Sequence, residues 1–252
     1  MIEAIIWGVV QGLTEFLPVS SSGHLVLIPA LLGMEPPDLA TSAVLHIGTL
    51  VAVLAYYRRD LASMLAFRTD PAARRLVGLL AVGTAPAIVG VLVRDTIGDL
   101  QESLTAVSIA LLVTGVVLFA SGFLGPLTRR LDEGRWHDAL VVGIAQVLAL
   151  IPGISRSGMT ITAGMGRRFV AEEAARFSFL LAVPAIAGAA LIEGLDLMDA
   201  GGVPDTIWIG VATAAISGYA AIAFLLRMVG RLGLRPFAYY TVIAGIVGLV
   251  IA

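Results

Sequence analysis

A polar motif of 13 residues occurs twice in this chain, at a constant offset of 135 positions, and both copies lie in the middle of apolar stretches. The first copy spans Gln11–Gly23 and the second spans Gln146–Gly158. A repeat that keeps polar residues in register within apolar sequence indicates an internally duplicated membrane protein. The residues matched at this offset are Gly8 and Gly143, Gln11 and Gln146, Leu13 and Leu148, Ser20 and Ser155, Ser22 and Ser157, and Gly23 and Gly158.

Three ionisable side chains accompany the repeated motif. Glu15 lies in the first copy, His24 follows that copy directly, and Arg156 lies in the second copy. Ionisable groups are costly to bury in hydrocarbon, so the few that occur there usually belong to a functional site. We therefore expect these three side chains to mark such a site.

The composition places the chain among helical membrane proteins. It is 58% hydrophobic and 13% charged, whereas soluble proteins have roughly 25% charged residues. The absence of cysteine excludes disulfides, thiolate metal sites and thiol catalysis. Nothing in the sequence resembles a basic surface for nucleic acid. We predict an all-α, polytopic integral membrane protein in which residues 1–252 form a single membrane domain.

The distribution of arginine predicts which loops are cytoplasmic. Segments 58–75, 125–138, 167–176 and 227–235 hold 14 of the 16 basic residues, all of which are arginine. By the positive-inside rule these loops face the cytoplasm, and the acidic segments face outward. The acidic segments are 33–41, 94–103 and 193–205. Six stretches between the loops are long enough, or nearly so, to span a bilayer, namely 42–57, 76–93, 104–124, 174–192, 206–226 and 236–252.

The two repeated motifs fit this topology only as hairpins that enter and leave by one face. Segment 139–168 has arginines beyond both ends, so both ends are predicted to be cytoplasmic. Residues 1–32 are interpreted in the same way from the external face; the alternative is that 1–17 and 21–32 each cross, but 12 residues are too few for the second crossing. Two oppositely oriented re-entrant hairpins form an inverted-topology repeat, in which ligands bind where broken helices meet.

The hairpin tips have the residues of an anion-binding site. Each tip begins a helix, whose first N–H groups lack partners and attract negative charge. A phosphate is the expected ligand, and Arg156 adds a guanidinium suited to bidentate phosphate contact. The alternative is that the tip serines serve as hairpin caps and interhelical hydrogen-bonding groups. The phosphate-binding candidates at the tips are Ser20, Ser22, Gly23, Ser155, Arg156, Ser157 and Gly158.

Gln11 and Glu15 are four residues apart and therefore share a helix face. Their oxygen atoms suit Mg²⁺ or Ca²⁺, cations that also bridge phosphates. The alternative is a structural ion pair between Glu15 and Arg156. His24 is placed to transfer a proton near neutral pH. For His46, in the next predicted span, we expect a structural hydrogen bond with at most an indirect contribution to the site.

Two motifs of this chain resemble those of a known family. The sequence QGLTEFLPVSSSGH at positions 11–24 resembles the (E/Q)-x-x-x-E and P-V-S-S-x-G-H signatures of undecaprenyl-diphosphate phosphatases of the bacitracin-resistance type. The sequence PGISRSGMT at positions 152–160 is similar to their P-G-x-S-R-S-G-x-T motif. Further similarity at 83–86 and 177–184 extends the resemblance across nearly the whole chain. Gln11 stands where some members have Glu, which argues against a mechanism that needs two carboxylates there.

The resemblance implies hydrolysis of a long polyprenyl diphosphate to the monophosphate, which releases phosphate and recycles the carrier lipid of envelope glycans. It also implies a divalent cation, Mg²⁺ or Ca²⁺, and an active site that opens to the external face of the cell membrane. The functional positions that it implies are Gln11, Glu15, Ser21, His24, Ser155, Arg156, Ser157 and Thr160.

Our mechanistic hypothesis is that Ser21 attacks as a nucleophile or orients a water, while His24 handles the proton. Two other classes remain as alternatives. A secondary transporter or lipid flippase shares the layout of opposed hairpins. A type-2 phosphatidate phosphatase is disfavoured because its leading motif needs a lysine and this chain has none. The sequence does not determine the length of the prenyl chain, so a bacterial undecaprenyl carrier and an archaeal dolichyl-type carrier are both open. Whether the chain forms a homodimer is also open.

Overall fold

The computed structural model describes residues 1–92, 100–199 and 205–252, without the side chains of residue 39 and of residues 91–92 and 192–199. The described residues form helices joined by short connections, and no strand occurs among them. We number the α-helices α1 (Ile2–Phe16), α2 (Ser21–Leu32), α3 (Leu39–Tyr56), α4 (Arg58–Met64), α5 (Pro71–Thr84), α6 (Val89–Leu92), α7 (Leu104–Ala120), α8 (Trp136–Leu148), α9 (Arg156–Gly166), α10 (Ala171–Asp199), α11 (Ile207–Leu232) and α12 (Arg235–Ile251). Short 3₁₀ segments occupy Ala85–Ile88, Ser121–Phe123 and Leu131–Glu133.

The all-helical membrane class is confirmed. Three segments are long and apolar enough to cross a bilayer, and they contain or closely match the predicted spans 104–124, 174–192 and 206–226. These segments are Leu104–Phe123, Ala171–Leu191 and Ile207–Leu232. A fourth is added if α3 and α4, which meet at a bend of 74°, are taken as one span. The chain is therefore a multi-pass membrane protein.

The other predicted spans have shorter helices. Span 236–252 corresponds to α12, an apolar helix of 17 residues. Span 76–93 begins in α5 and continues through the 3₁₀ segment, where Pro86 removes a backbone donor, into α6. Its last residue, most of the predicted external loop 94–103 and part of the loop 193–205 lie outside the described residues.

Both repeated motifs form a helix, a tight turn and a second helix. Helix α1 ends before Pro18, which disfavours helical backbone at Leu17, whereas α8 ends at Leu148 and Pro152 lies in the turn that follows it. The hydroxyl of Ser20 caps α2 by accepting a hydrogen bond from the Gly23 amide at 3.3 Å. At the offset of 135, the hydroxyl of Ser155 caps α9 by accepting from the Gly158 amide at 3.1 Å. Because capping hydroxyls satisfy orphan N–H groups, the repeated serines begin both helices in equivalent ways.

Helix α1 is held by close backbone packing against α11. A Cβ atom added at Gly8 would collide with the backbone of Gly210, and one added at Gly12 would collide with the carbonyl oxygen of Ala214. At the offset of 135, a Cβ at Gly143 on α8 would collide with a backbone carbonyl of α5. Small residues let helices approach this closely in membranes, where van der Waals contact drives their association.

The interior is closed by aromatic and aliphatic side chains behind the two hairpins. Phe16, at the end of α1, is fully buried and meets Phe179 of α10 edge to face, with ring centroids 5.4 Å apart. The same cluster includes Phe169 and Ile161 from the second hairpin. One apolar cluster thus connects the end of the first hairpin's entering helix with the second hairpin and α10.

A buried carboxylate ties together the two ends of the second hairpin. Asp138, at the start of α8, is 1% exposed and accepts hydrogen bonds from the guanidinium groups of Arg129 at 2.8 Å and Arg167 at 2.7 Å. It also accepts from the backbone amide of Arg135 at 2.9 Å. Burial acts to raise the pKa of Asp138, but these donors lower it from 3.8 to about 2. The carboxylate therefore stays ionised at neutral pH and binds residues from both ends of the hairpin.

We expect Asp138→Ala to lower the free energy of unfolding by about 3 kcal/mol, because it leaves two arginines without their buried partner. Since the folded-state pKa lies below that of the unfolded chain, this contribution is complete above pH 4 to 5 and disappears as the pH falls toward 2. Thermal unfolding in detergent at pH 7 and at pH 3 measures it. Asp132→Ala, at an exposed position in the same loop, is the matched control. Equal stability of the two variants at pH 7 would contradict the assignment.

Candidate active site

The two hairpin tips touch. The hydroxyl of Ser22 accepts a hydrogen bond from the backbone amide of Gly153 at 3.3 Å, and the hydroxyl of Ser157 donates to the carbonyl of Leu17 at 3.0 Å. Ser22 and Ser157 are partners in the repeat, so each tip uses the equivalent serine to bind the backbone of the other. The expectation that the two motifs meet is therefore met by direct contacts.

The turns at the tips require special backbone conformations. Gly153 has a φ of +93°, and Ser20 has a φ of +74°, which is costly for a residue with a side chain. Thr114 of α7 fixes the second turn, since its hydroxyl donates to the Gly153 carbonyl and accepts from the Ser155 amide, both at 3.0 Å. Strain of this kind persists only where surrounding contacts hold it, and it is common at ligand sites.

Glu15 is the centre of the polar cluster between the tips. Its Oε1 atom accepts a hydrogen bond from Arg156 Nη2 at 2.6 Å. Its Oε2 atom accepts from the hydroxyl of Ser21 at 2.5 Å and from Gln11 Nε2 at 3.1 Å. His46 Nε2 lies 3.6 Å from the same oxygen. The ion pair of Glu15 and Arg156 that was one alternative is present, and it lies beside a serine and a histidine rather than alone.

Arg156 retains a free donor. Its Nη1 atom is buried and has no hydrogen-bond partner among the described residues, whereas Nη2 binds Glu15. Thr160 links the backbone of Arg156 to α10, because its hydroxyl lies 2.8 Å from the Arg156 carbonyl and 2.6 Å from the Ser178 hydroxyl. A half-buried guanidinium with one buried and unpaired nitrogen is suited to bind an anionic oxygen.

A cavity of about 590 Å³ opens from this cluster. Its polar lining includes Glu15, Ser21, His46 and Arg156, together with the other tip serines Ser20, Ser22 and Ser155. Its apolar lining includes Ile88, Leu150 and Ala185. The cavity therefore combines a small group of charged and polar residues with a larger apolar lining, as an amphiphilic ligand requires.

The predicted phosphate-binding residues divide into two groups. Ser20, Ser22, Ser155 and Arg156 line the cavity. The other members, Gly23, Ser157, Gly158 and Thr160, are not among its lining residues and instead form the caps and supports described above. Ser157 therefore has the structural role that was the alternative for the tip serines, since it makes a hydrogen bond to the other tip. Ser20 and Ser155 cap helices and also line the cavity.

The two histidines near the site have different surroundings. His24 is buried outside the lining of the cavity, with Nδ1 2.8 Å from the Ser20 carbonyl and Nε2 2.8 Å from the Tyr240 hydroxyl. His46 lines the cavity beside Glu15. The sequence predicted at most an indirect role for His46, because no residue near it in the apolar span indicated which group it contacts.

The residues around Glu15 fit a hard divalent cation. Gln11 Oε1 is buried without a hydrogen-bond partner among the described residues, next to the carboxylate. His46 Nδ1 lies 2.7 Å from the Ser42 carbonyl, which can only accept, so Nδ1 donates there and Nε2 is the ring nitrogen that faces Glu15. No group of three or more His, Cys, Asp or Glu side chains with metal-binding geometry occurs in the described segments. A cation here would therefore need amide and ligand oxygens besides Glu15.

The chain is similar to known proteins over nearly its whole length. The family described as bacitracin resistance protein BacA matches residues 4–247. The undecaprenyl-diphosphatase of Halothermothrix orenii is 42% identical over an alignment of 255 positions, which covers 99% of this chain and 97% of that protein. The undecaprenyl-diphosphatases of Geotalea daltonii and Thermomicrobium roseum are 41% and 42% identical over alignments of 263 and 269 positions, each covering 99% of this chain and 97% of the other protein.

Proposed function

The chain belongs to the bacitracin resistance protein BacA family and is a polyprenyl diphosphate phosphatase, and we propose that it hydrolyses its substrate in the cavity between the two hairpin tips. The reaction converts an undecaprenyl-type diphosphate to the lipid monophosphate and inorganic phosphate. One observation carries the location of the site: the cavity joins the Glu15–Arg156 cluster to an apolar region that suits a lipid.

In our proposal the diphosphate lies against the charged residues of the cavity, and the prenyl chain lies against its apolar lining. The free Nη1 edge of Arg156 binds the terminal phosphoryl group, where charge is redistributed during transfer. A divalent cation held by Glu15 and Gln11 would supply further neutralisation of the phosphate charge. Hydrogen bonds from Gln11 and Arg156 already hold the Glu15 carboxylate in place.

Ser21 is our candidate nucleophile. Its hydroxyl donates to Glu15 Oε2, so the carboxylate is placed to take the proton as the serine oxygen bonds to the terminal phosphorus and the lipid monophosphate leaves. Water then cleaves the phosphoserine, which releases inorganic phosphate and returns the proton to Ser21. Direct attack by a water oriented by Ser21 is the alternative. The proton-transfer role for His24 remains a prediction, since both ring nitrogens face Ser20 and Tyr240.

The proposal includes the finer topology. We place six spans around two re-entrant hairpins, with the cavity open toward the external face of the cell membrane. Equivalent caps at the offset of 135 support the repeat. The external opening is supported by three lining residues, Gly90, Gln101 and Ala189, which lie within or near the predicted external loops. A homodimer formed through helix faces of small residues remains a prediction.

The test is phosphate release from a C55 polyprenyl diphosphate by purified protein in detergent, with and without EDTA, with both products identified. We expect equal amounts of lipid monophosphate and inorganic phosphate, and we expect EDTA to reduce the rate at least tenfold, with recovery on adding Mg²⁺ or Ca²⁺. Movement of intact lipid diphosphate across vesicles without cleavage would favour the transporter or flippase alternative. An unchanged rate in EDTA would reject the divalent cation.

A further inference from the structure

The two copies of the repeat differ at one position in a way that leaves a polar group without its partner. In the first copy Gln11 Nε2 donates to Glu15, four residues later. In the second copy the matching glutamine is Gln146, but the residue four positions later is Leu150. The carboxylate that satisfies the first glutamine therefore has no counterpart for the second.

Gln146 is buried and unpaired. It is 3% exposed, and neither its Nε2 nor its Oε1 atom has a hydrogen-bond partner in the part of the chain that the structure describes. It lines the same cavity as Arg156, whose Nη1 atom is also buried and unpaired. A buried carboxamide without partners is unfavourable for folding, so its presence beside a cavity indicates that a ligand supplies them.

The position of Gln146 indicates which part of the ligand it meets. Leu150, four residues further along the chain, belongs to the apolar lining, and Gln146 makes no hydrogen bond to the Glu15–Arg156 cluster among the described residues. Gln146 therefore offers a second, uncharged polar contact in the same cavity. In a prenyl diphosphate, the phosphate that stays attached to the lipid is the one between the transferred phosphoryl group and the apolar chain.

We propose that Gln146 donates an N–H hydrogen bond to the phosphate that remains on the lipid, and so determines preference for a diphosphate. This inference rests on the proposed function and assigns separate partners to the two phosphates. Arg156 binds the phosphoryl group that is transferred, and Gln146 binds the group that leaves with the prenyl chain. The amide suits this position because it holds a phosphate without adding charge next to the apolar region.

Product inhibition distinguishes the phosphate subsite at Gln146 from the one at Arg156. The substrate is farnesyl diphosphate, and the two inhibitors are farnesyl monophosphate and inorganic phosphate. We expect Gln146→Leu to raise the KM for farnesyl diphosphate and the Ki for farnesyl monophosphate about tenfold or more, as for loss of a hydrogen bond to a charged group. The Ki for inorganic phosphate stays within about twofold. Gln146→Glu, which sets a carboxylate against the phosphate, raises the first two constants further. Ile144→Leu, on the exposed face of α8, is the matched control.

Thermal unfolding distinguishes this role from a structural one. Replacing an unpaired buried amide with Leu should leave the midpoint unchanged or raise it, whereas loss of a structural hydrogen bond would lower it. An unchanged Ki for farnesyl monophosphate in both variants, or a rise in the phosphate Ki alone, overturns the inference. If Gln146→Leu does not fold, Gln146→Glu decides in the same assay. If the wild type releases no phosphate from farnesyl diphosphate or the C55 lipid, the proposed function itself fails.

Discussion

Arg156→Gln should lower kcat/KM for a polyprenyl diphosphate by about 10²–10³, which is the usual cost of removing a preorganised donor from developing charge. The guanidinium is held by Glu15 through Nη2 and presents Nη1 without a partner, so it is positioned before the substrate arrives. Phosphate release under subsaturating substrate measures the effect. Arg156→Lys should recover only a small part of the activity, because an ammonium cannot contact Glu15 and phosphate with the same planar geometry.

The same substitution tests whether the effect is chemical or structural. Arg156→Gln leaves Glu15 buried without its main partner and should lower the free energy of unfolding by about 3 kcal/mol or more. The double variant Glu15→Gln/Arg156→Gln removes both charges and should regain most of that stability while remaining inactive. A stable double variant with near wild-type activity would contradict a catalytic role for the pair.

The second large effect is expected from Gly12→Leu. The added Cβ would collide with the Ala214 carbonyl and the Ser217 hydroxyl of α11, and backbone atoms of a packed helix cannot easily move aside. Overpacking usually costs about 1–3 kcal/mol, and we expect the upper end or more here. Because Gln11 and Glu15 lie on the same helix, displacement of α1 should also abolish phosphate release.

Gly78→Ala is the matched control for this substitution. Gly78 is exposed on α5, and a Cβ there meets no atom within 4 Å. Alanine in a helix is favoured over glycine, so this variant should be as stable as the wild type or more stable by up to about 1 kcal/mol. Thermal unfolding and activity are measured together for both variants. A Gly12→Leu protein with normal stability and activity would show that α1 and α11 do not pack as closely as described.

The repeat made the centre of the site predictable from sequence. Two copies of one polar motif, each with a glutamine and tip serines, indicated two tips that meet, and the Ser22 and Ser157 contacts join those tips. Pro18 and Pro152 in the two turns, and Gly153 in the second turn alone, carried the backbone signal, and Ser20 and Ser155 carried the capping signal. Local chemistry of this kind depends on neighbours in sequence and is therefore visible in one chain.

The contributions of other helices could not be derived in this way. His46 reaches Glu15 from α3, and Thr114 fixes the second tip from α7, through packing that no local pattern encodes. Gln146 differs, because a signal was present: its repeat partner Gln11 has an acceptor at the next helical turn, while Gln146 has Leu150. The loss of a partner between two copies is visible in sequence, but it becomes meaningful only when the structure places the amide in the cavity.

The most direct test of the central claim is the rate of phosphate release from a C55 polyprenyl diphosphate by the single variant Glu15→Gln, compared with wild type under the same conditions. This substitution keeps the shape of the side chain and removes the charge that contacts both Ser21 and Arg156. The account predicts a fall of at least about 10² in kcat, with a folded protein by thermal unfolding. A folded Glu15→Gln protein that releases phosphate at the wild-type rate would contradict it and move the reaction away from the hairpin tips.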